Sequence, residues 1–186
     1  RLGARAAALN ERGFDAIRFR GPGTDLHVGL VPGHRWMSAA EETVSGISHV
    51  VNMPSEEVFT TPDRRRTEGV VRSTMPLALS GTIVRDLEVE FRGGEVVDVR
   101  ASAGADAVRQ EMATDAGAKR LGEVALVDGD SRVRRTGVIF LDTLFDENAA
   151  CHVAYGQGIH AGLPGGSEAS LAELEAIGYN DSLVHT

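Results

Sequence analysis

The sequence predicts an α+β domain: a largely antiparallel β-sheet with a few flanking helices. Three observations carry that expectation. Apolar and polar residues alternate in short runs separated by glycine-containing turns, the period of strands with one buried face. The clearest pair, "LEVEFRGGEVVDVRAS" (Leu87–Ser102), flanks a two-glycine turn, a hairpin signature. Helix-patterned stretches do not alternate regularly with the strands, as a doubly wound parallel sheet would require.

In chain order, residues 1–12 read as a helix carrying Ala6, Ala7, Ala8 and Leu9, with Gly13 placed to end it. "FDAIRFRG" (Phe14–Gly21) and "LHVGLV" (Leu26–Val31) flank the turn-forming "GPGTD" (Gly21–Asp25), which predicts an antiparallel hairpin. "GVVRSTMPLALSGTIV" (Gly69–Val84) is strand-rich and punctuated by Gly81. In the next hairpin Leu87, Val89 and Phe91 share a face, Gly93-Gly94 turn the chain, and Val96, Val97 and Val99 return. "GADAVRQEMATDAGAKRLGE" (Gly104–Glu123) reads as a helix with Ala107, Val108, Met112 and Ala116 along one side. "VALV" (Val124–Val127) and "TGVIFLDTLF" (Thr136–Phe145) read as apolar strands. "DENAACHVAYG" (Asp146–Gly156) has helix-start chemistry with Asp146 as N-cap, and "SEASLAELEAIG" (Ser167–Gly178) is a short amphipathic helix closed by Gly178.

The chain has 186 residues, 42% hydrophobic and 25% charged, enough for one domain with its own core. It lacks a run of about 18 apolar residues, so no membrane span is expected. The first residues, "RLGARAAALNERGF", are charged and lack the apolar centre of a secretion signal. They begin with Arg rather than Met, and a longer parent protein is expected. A formal net charge of −8 argues against nucleic acid as a partner, and the basic runs "DRRRTE" and "RVRR" are short enough to be solvated turns. The single cysteine, Cys151, leaves no disulfide framework and favours a reducing, cytoplasmic setting.

Several carboxylates and histidines stand out. Glu56 and Glu57 sit between two prolines in "NMPSEEVFTTP", and Glu123 leads an apolar strand in "RLGEVALV". Glu147 and His152 lie in "LFDENAACH", and His185 is in "NDSLVHT". An acid entering a buried strand costs free energy unless it is paired or bound to a cation. Singly, each also suits an edge acid or a satisfied histidine. Glu147 and His152, five apart, do not share a face on a straight helix. As a set, several carboxylates and two imidazoles form the donor mixture for a pair of divalent metals. No HExxH zinc signature is present. Cys151 beside His152 is not a thiol dyad, because neighbours on a helix point apart. "GPGTD" and "GLPGG" lack the Gly-Lys-Ser/Thr end of a phosphate loop, and "VDGDS" lacks the later acids of a calcium loop.

"RGPGTDL", "NMPSEEVFTTPD", "RLGEVALVD", "TLFDENAACHVAYGQG" and "NDSLVHT", in this order, resemble the aminopeptidase T and aminopeptidase S family of thermophilic-type metallo-aminopeptidases, over Arg18–Thr186. The resemblance implies an enzyme that releases N-terminal amino acids from peptides through a water activated by a dinuclear metal site. The implied ligands are Glu57, Glu123, Glu147, His152 and His185, with Glu123 the candidate shared ligand and Glu56 the candidate general base. Two divalent ions are implied, with zinc, cobalt, magnesium and manganese all compatible. The partners implied are peptides with a free N-terminus and a second copy in a homodimer. Cys151 becomes a buried small residue in this comparison. The chain departs from the pattern in two places: the family's Asp two positions after His185 falls beyond Thr186, and the family's tyrosine position is Ile159, with Tyr155 and His160 nearby. Residues 1–186 are therefore expected to be the C-terminal metal-binding domain of a two-domain enzyme, lacking the N-terminal domain and the extreme C-terminus. An assembly piece with an incomplete site, or a related dipeptidase or amidase, are the alternatives.

Overall fold

The structure, a computed structural model, describes residues 1–186, the side chains of Glu41 and Ser167 excepted. Helix α1 (Leu2–Arg12) ends where Gly13 adopts φ 56°, a left-handed cap that favours glycine. Strands β1 (Ala16–Gly21) and β2 (Thr24–Leu30) form the expected first hairpin, with Gly21 opposite Thr24. A short hairpin of β3 (Ala40–Glu42) and β4 (Ser48–Val50) precedes β5 (Glu57–Thr60) and the long β6 (Pro62–Arg72). Another, β7 (Leu77–Leu79) with β8 (Thr82–Val84), leads to β9 (Glu88–Arg92) and β10 (Glu95–Arg100). The chain then forms α2 (Ala105–Glu111), β11 (Leu121–Val127), α3 (Arg132–Arg135), α4 (Thr143–Asp146), β12 (His152–Tyr155) and α5 (Leu171–Ile177).

The main strands pair antiparallel in two sheets, one ordered β1-β2-β6-β9-β10 and the other β12-β11-β5. This is the expected α+β class. At the β9–β10 turn, Gly93 and Gly94 have φ of 56° and 78°, both positive, as a two-residue type I′ turn demands. A register shift between Val96 and Asp98 leaves Val97 half exposed while Val89 and Val99 stay paired and buried. The two sheets share one apolar core. Leu26, Val28, Val89 and Phe91 from the larger sheet meet Val58 and Val124 from the smaller, with Val108 and Met112 at α2. Phe91 is 2% exposed, and its truncation to Ala is expected to cost about 3–5 kcal/mol in lost burial and cavity formation.

Four expectations are corrected. The helix anticipated over 104–123 stops at Glu111. The Asp115 carboxylate accepts the Gly117 and Ala118 N–H groups at 2.8 Å each, a local bond that competes with helix continuation, and Leu121–Glu123 join β11. The strand anticipated over 136–145 is a loop as far as Asp142 and then the start of α4. Its apolar residues Val138, Ile139, Phe140 and Leu141 are exposed, and the Asp146 carboxylate folds back to accept the Phe140 N–H at 2.9 Å. The helix in that region is capped by Asp142, not Asp146, and it ends before His152, which lies on a strand. The last helix starts at Leu171 rather than Ser167, because Ser170 and Glu173 form a capping box.

Candidate metal centre

Register in the three-stranded sheet gathers the candidate residues. Directly opposed residues of an antiparallel pair share a face. Glu57 faces Val127, His152 faces Ala125 and Ala154 faces Glu123, and residues 123, 125 and 127 lie on one side of β11. Glu57, Glu123 and His152 therefore project from the face opposite the core residues Val58 and Val124. A fourth residue arrives on a separate segment. Gly156 bridges to His185, and Tyr155 and Thr186 exchange backbone hydrogen bonds of 2.7 and 3.0 Å. A Cβ on Gly156, whose φ is 98°, would stand 2.1 Å from the Val184 carbonyl oxygen, so this close approach requires glycine. Asp115 holds the segment from the other side, accepting from the Leu183 N–H at 2.7 Å and from the Ser182 hydroxyl at 2.9 Å.

Glu57 is 5% exposed and Glu123 8%, depths at which a carboxylate needs a charged partner. His152 Nε2 lies 3.0 Å from Glu57 Oε2, and His185 Nε2 lies 3.0 Å from Glu123 Oε2. Donor atoms of Glu57, Glu123 and His152 all fall within 4.8 Å of one another. Both rings are fixed through their other nitrogen: His152 Nδ1 is 3.0 Å from the Ala150 carbonyl oxygen and His185 Nδ1 is 2.8 Å from that of Gln157. Each Nδ1–H donates to its carbonyl, which turns Nε2 into the cluster. The two pairs differ. His185 makes a hydrogen bond to Glu123, whereas Glu57 Oε2, though close to His152, lies off the N–H direction and has no hydrogen-bond donor. Convergent oxygen and imidazole donors, carbonyl-fixed rings and a buried carboxylate oxygen without a donor together fit a divalent cation.

The protonation pattern follows from the same crowding. Burial pushes the Glu147 carboxyl up to about 7; the histidines oppose the rise, while Glu57 and Glu123 add to it. Burial lowers the His152 imidazole, but contact with Glu57 and the charges of Glu57 and Glu123 outweigh it and hold it up to about 9. The Glu123 hydrogen bond raises His185 against the opposing effect of burial.

The structure thus brings Glu57, Glu123, His152 and His185 together. Glu147, in the turn after α4, faces the cluster but stands outside its tightest group. Glu56 is not brought in. It neighbours Glu57 in extended chain, where successive side chains point oppositely, and its buried carboxylate pairs with Arg1 and lies 3.7 Å from Arg132. Cys151 is exposed rather than buried, with its sulfur 3.4 Å from both the amide nitrogen and the carbonyl oxygen of Val127. Tyr155 does not stand in for the tyrosine replaced by Ile159. It lies on the core face and its hydroxyl donates to Glu111, while burial first and that carboxylate second raise its pKa. Asp115 and Gly156, which place His185, were not singled out from sequence. Their only signal there is an Asp-Ala-Gly turn and a Gly-x-Gly after an apolar run.

An antiparallel sheet presenting buried acids and carbonyl-anchored histidines describes a metal-binding protein of α+β class. The chain belongs to the thermophilic metalloprotease (M29) family, whose model matches residues 1–186. It is 50% identical over 184 residues to aminopeptidase T of Thermus aquaticus, covering 99% of this chain and 45% of that protein. It is 44% identical over 185 residues to aminopeptidase PepS of Streptococcus thermophilus, covering 100% and 45%. The solved structure of wild-type AmpT from Thermus thermophilus superimposes with a TM-score of 0.92 at 49% identity, over 99% of this chain and 45% of that one. A 2,5-dihydroxypyridine dioxygenase from Pseudomonas putida KT2440, at 14% identity and a TM-score of 0.62, shares the fold. The chain spans about 45% of the length of these aminopeptidase relatives. Among the described residues, no helix is long and apolar enough to cross a membrane.

Proposed function

We propose that this chain is the metal-binding, catalytic domain of an aminopeptidase that removes N-terminal residues from peptides in the cytoplasm. The observation that carries the reading is the pair of histidines anchored by backbone carbonyls, with Nε2 turned onto two buried glutamates. The aminopeptidase relatives supply the substrate class. Glu57, Glu123, His152 and His185 would hold the first cation, and Glu147 would complete the site for a second, with Glu123 shared. Zinc, cobalt, magnesium and manganese all suit this donor set. The cations would supply Lewis acidity for the scissile carbonyl and a water made acidic near neutral pH.

The residues supply the rest. The Ala150 and Gln157 carbonyls keep each imidazole in the tautomer that leaves Nε2 available. Glu147, whose carboxyl burial raises to about 7 in the cation-free chain, would give up its proton on ligating a cation. Glu56 holds the chain before β5 rather than moving a proton, since its carboxylate is committed to Arg1. The exposed row Val138, Ile139, Phe140 and Leu141 supports a homodimer, because contiguous apolar surface favours association.

Elemental analysis after dialysis against a cobalt or zinc salt, alongside assays on aminoacyl and N-blocked substrates, tests the reading. Two equivalents of metal and hydrolysis restricted to free-amine substrates are expected. A chain that retains no metal, or that cleaves N-blocked substrates equally well, overturns it.

A further inference from the structure

The acids and histidines of the candidate centre come from segments far apart in sequence, and one buried side chain ties two of these segments together. Asn148 is 0% exposed. Its Oδ1 accepts the Glu56 N–H at 2.7 Å, across 92 residues of sequence, and its Nδ2 donates to the Leu144 carbonyl oxygen at 2.9 Å. One end fixes the peptide just before Glu57. The other closes the α4 turn that carries Glu147 and leads into β12 with His152.

We propose that Asn148 is a positioning residue of the candidate metal centre: it sets the separation between the Glu57 segment and the Glu147–His152 segment, so divalent-cation affinity depends on it. The inference rests on the metal-centre reading above. Its chemistry is specific to a carboxamide, which presents one acceptor and one donor on a rigid plane. The network fixes which end is which, because an N–H stands at one end and a carbonyl at the other. An aliphatic residue would strand both backbone groups, and a serine hydroxyl is too short to span them. Buried and bonded at both ends, the side chain has no exposed alternative position to occupy.

Asn10 provides a matched comparison. It makes the same two-ended tie to a backbone, donating to the Trp36 carbonyl oxygen at 3.0 Å and accepting the Trp36 N–H at 2.7 Å. Its partner residue contributes nothing to the cluster. Losing either asparagine removes a structural tie, but only Asn148 joins segments that carry the cluster.

The test is a Co2+ titration of the chelator-treated 186-residue chain, followed by visible absorption and by thermal unfolding. Wild type, Asn148→Ala, Asn148→Ser and Asn10→Ala are compared. Outer residues that orient metal ligands typically change affinity by about 10–100-fold, and a loss of that size with an altered Co2+ band is expected for both Asn148 variants. Asn10→Ala is expected to lower Tm while leaving affinity and band unchanged. Native affinity and an unaltered band in the Asn148 variants, with a Tm loss like that of Asn10→Ala, would overturn the inference and leave Asn148 a purely structural tie. Asn148→Ser, which deletes less volume, carries the comparison if Asn148→Ala does not fold. Absence of Co2+ binding by wild type is a different result, because it removes the metal-centre reading and this inference with it.

Discussion

Replacing Glu123 with Gln preserves shape and removes one charge from the centre of the cluster. Four donors, from Glu57, Glu123, His152 and His185, converge there. Structural zinc sites with four ligands contribute about 10–16 kcal/mol in all, which assigns about 3 kcal/mol to each ligand. Losing one therefore weakens binding by about two orders of magnitude. The loss is read most simply by thermal unfolding with and without cation. With free cation at about 100 times the wild-type Kd, linkage stabilises wild type by about 2.7 kcal/mol, and a hundredfold weaker variant by about 0.4 kcal/mol. At about 2–4 °C per kcal/mol for a chain of this size, a shift of about 5–11 °C shrinks to about 1 °C. The cation-free variant should unfold near wild type. Glu147, whose carboxyl is raised to about 7 by burial with Glu57 and Glu123 adding to the rise, is relieved of one neighbouring charge, while His185 keeps a neutral acceptor and loses its anionic partner. An undiminished cation-induced shift in Glu123→Gln would refute the assignment of Glu123 as a ligand.

Glu56→Gln should lower Tm by weakening the contacts with Arg1 and Arg132 while leaving cation affinity at the wild-type value; a large loss of affinity would return Glu56 to the centre. Acid should detach the His185 segment first. The Leu183 N–H, with help from Ser182, Ala118 and Gly117, holds the Asp115 carboxyl below its ordinary 3.8 against the opposing effect of burial. Its folded pKa is depressed, so its contribution is complete above 3.8 and disappears as pH falls through the lower folded value. Amide exchange at Leu183 and Thr186 should accelerate in that acid window before exchange in β9 does, and simultaneous acceleration would show that the segment has no separate anchor. Phe140→Ser, in the exposed loop, should change the Tm of the monomer little but should weaken any self-association measured by sedimentation, and an unchanged association constant would exclude this row from an interface.

Strands and site were legible in the sequence to different depths, for a physical reason. The β1–β2 and β9–β10 hairpins were readable because register there is set locally, by turn glycines and alternating side chains. The Val138–Leu141 run misled because hydrophobicity records a preference for burial and not what supplies it; here Asp142 and Asp146 bind neighbouring backbone groups and keep the segment in a loop. The Gly104–Glu123 helix ends at Glu111, and Asp115 beyond it is committed to Ser182 and Leu183, a partnership between segments distant in sequence. The site shows the same division. Glu57, Glu123, Glu147, His152 and His185 were named from motifs, and pairing β5, β11 and β12 is what gathers most of them. Glu56 could not be separated from Glu57 by residue type, since both are glutamates in one motif. Strand alternation separates them: a one-residue slip would exchange their faces, sending Glu56 toward His152 and Glu57 toward Arg1. The register of β5 is therefore a condition of the chemistry. The tie from Asn148 to the Glu56 N–H lies at the entrance to that strand, where a slip would begin.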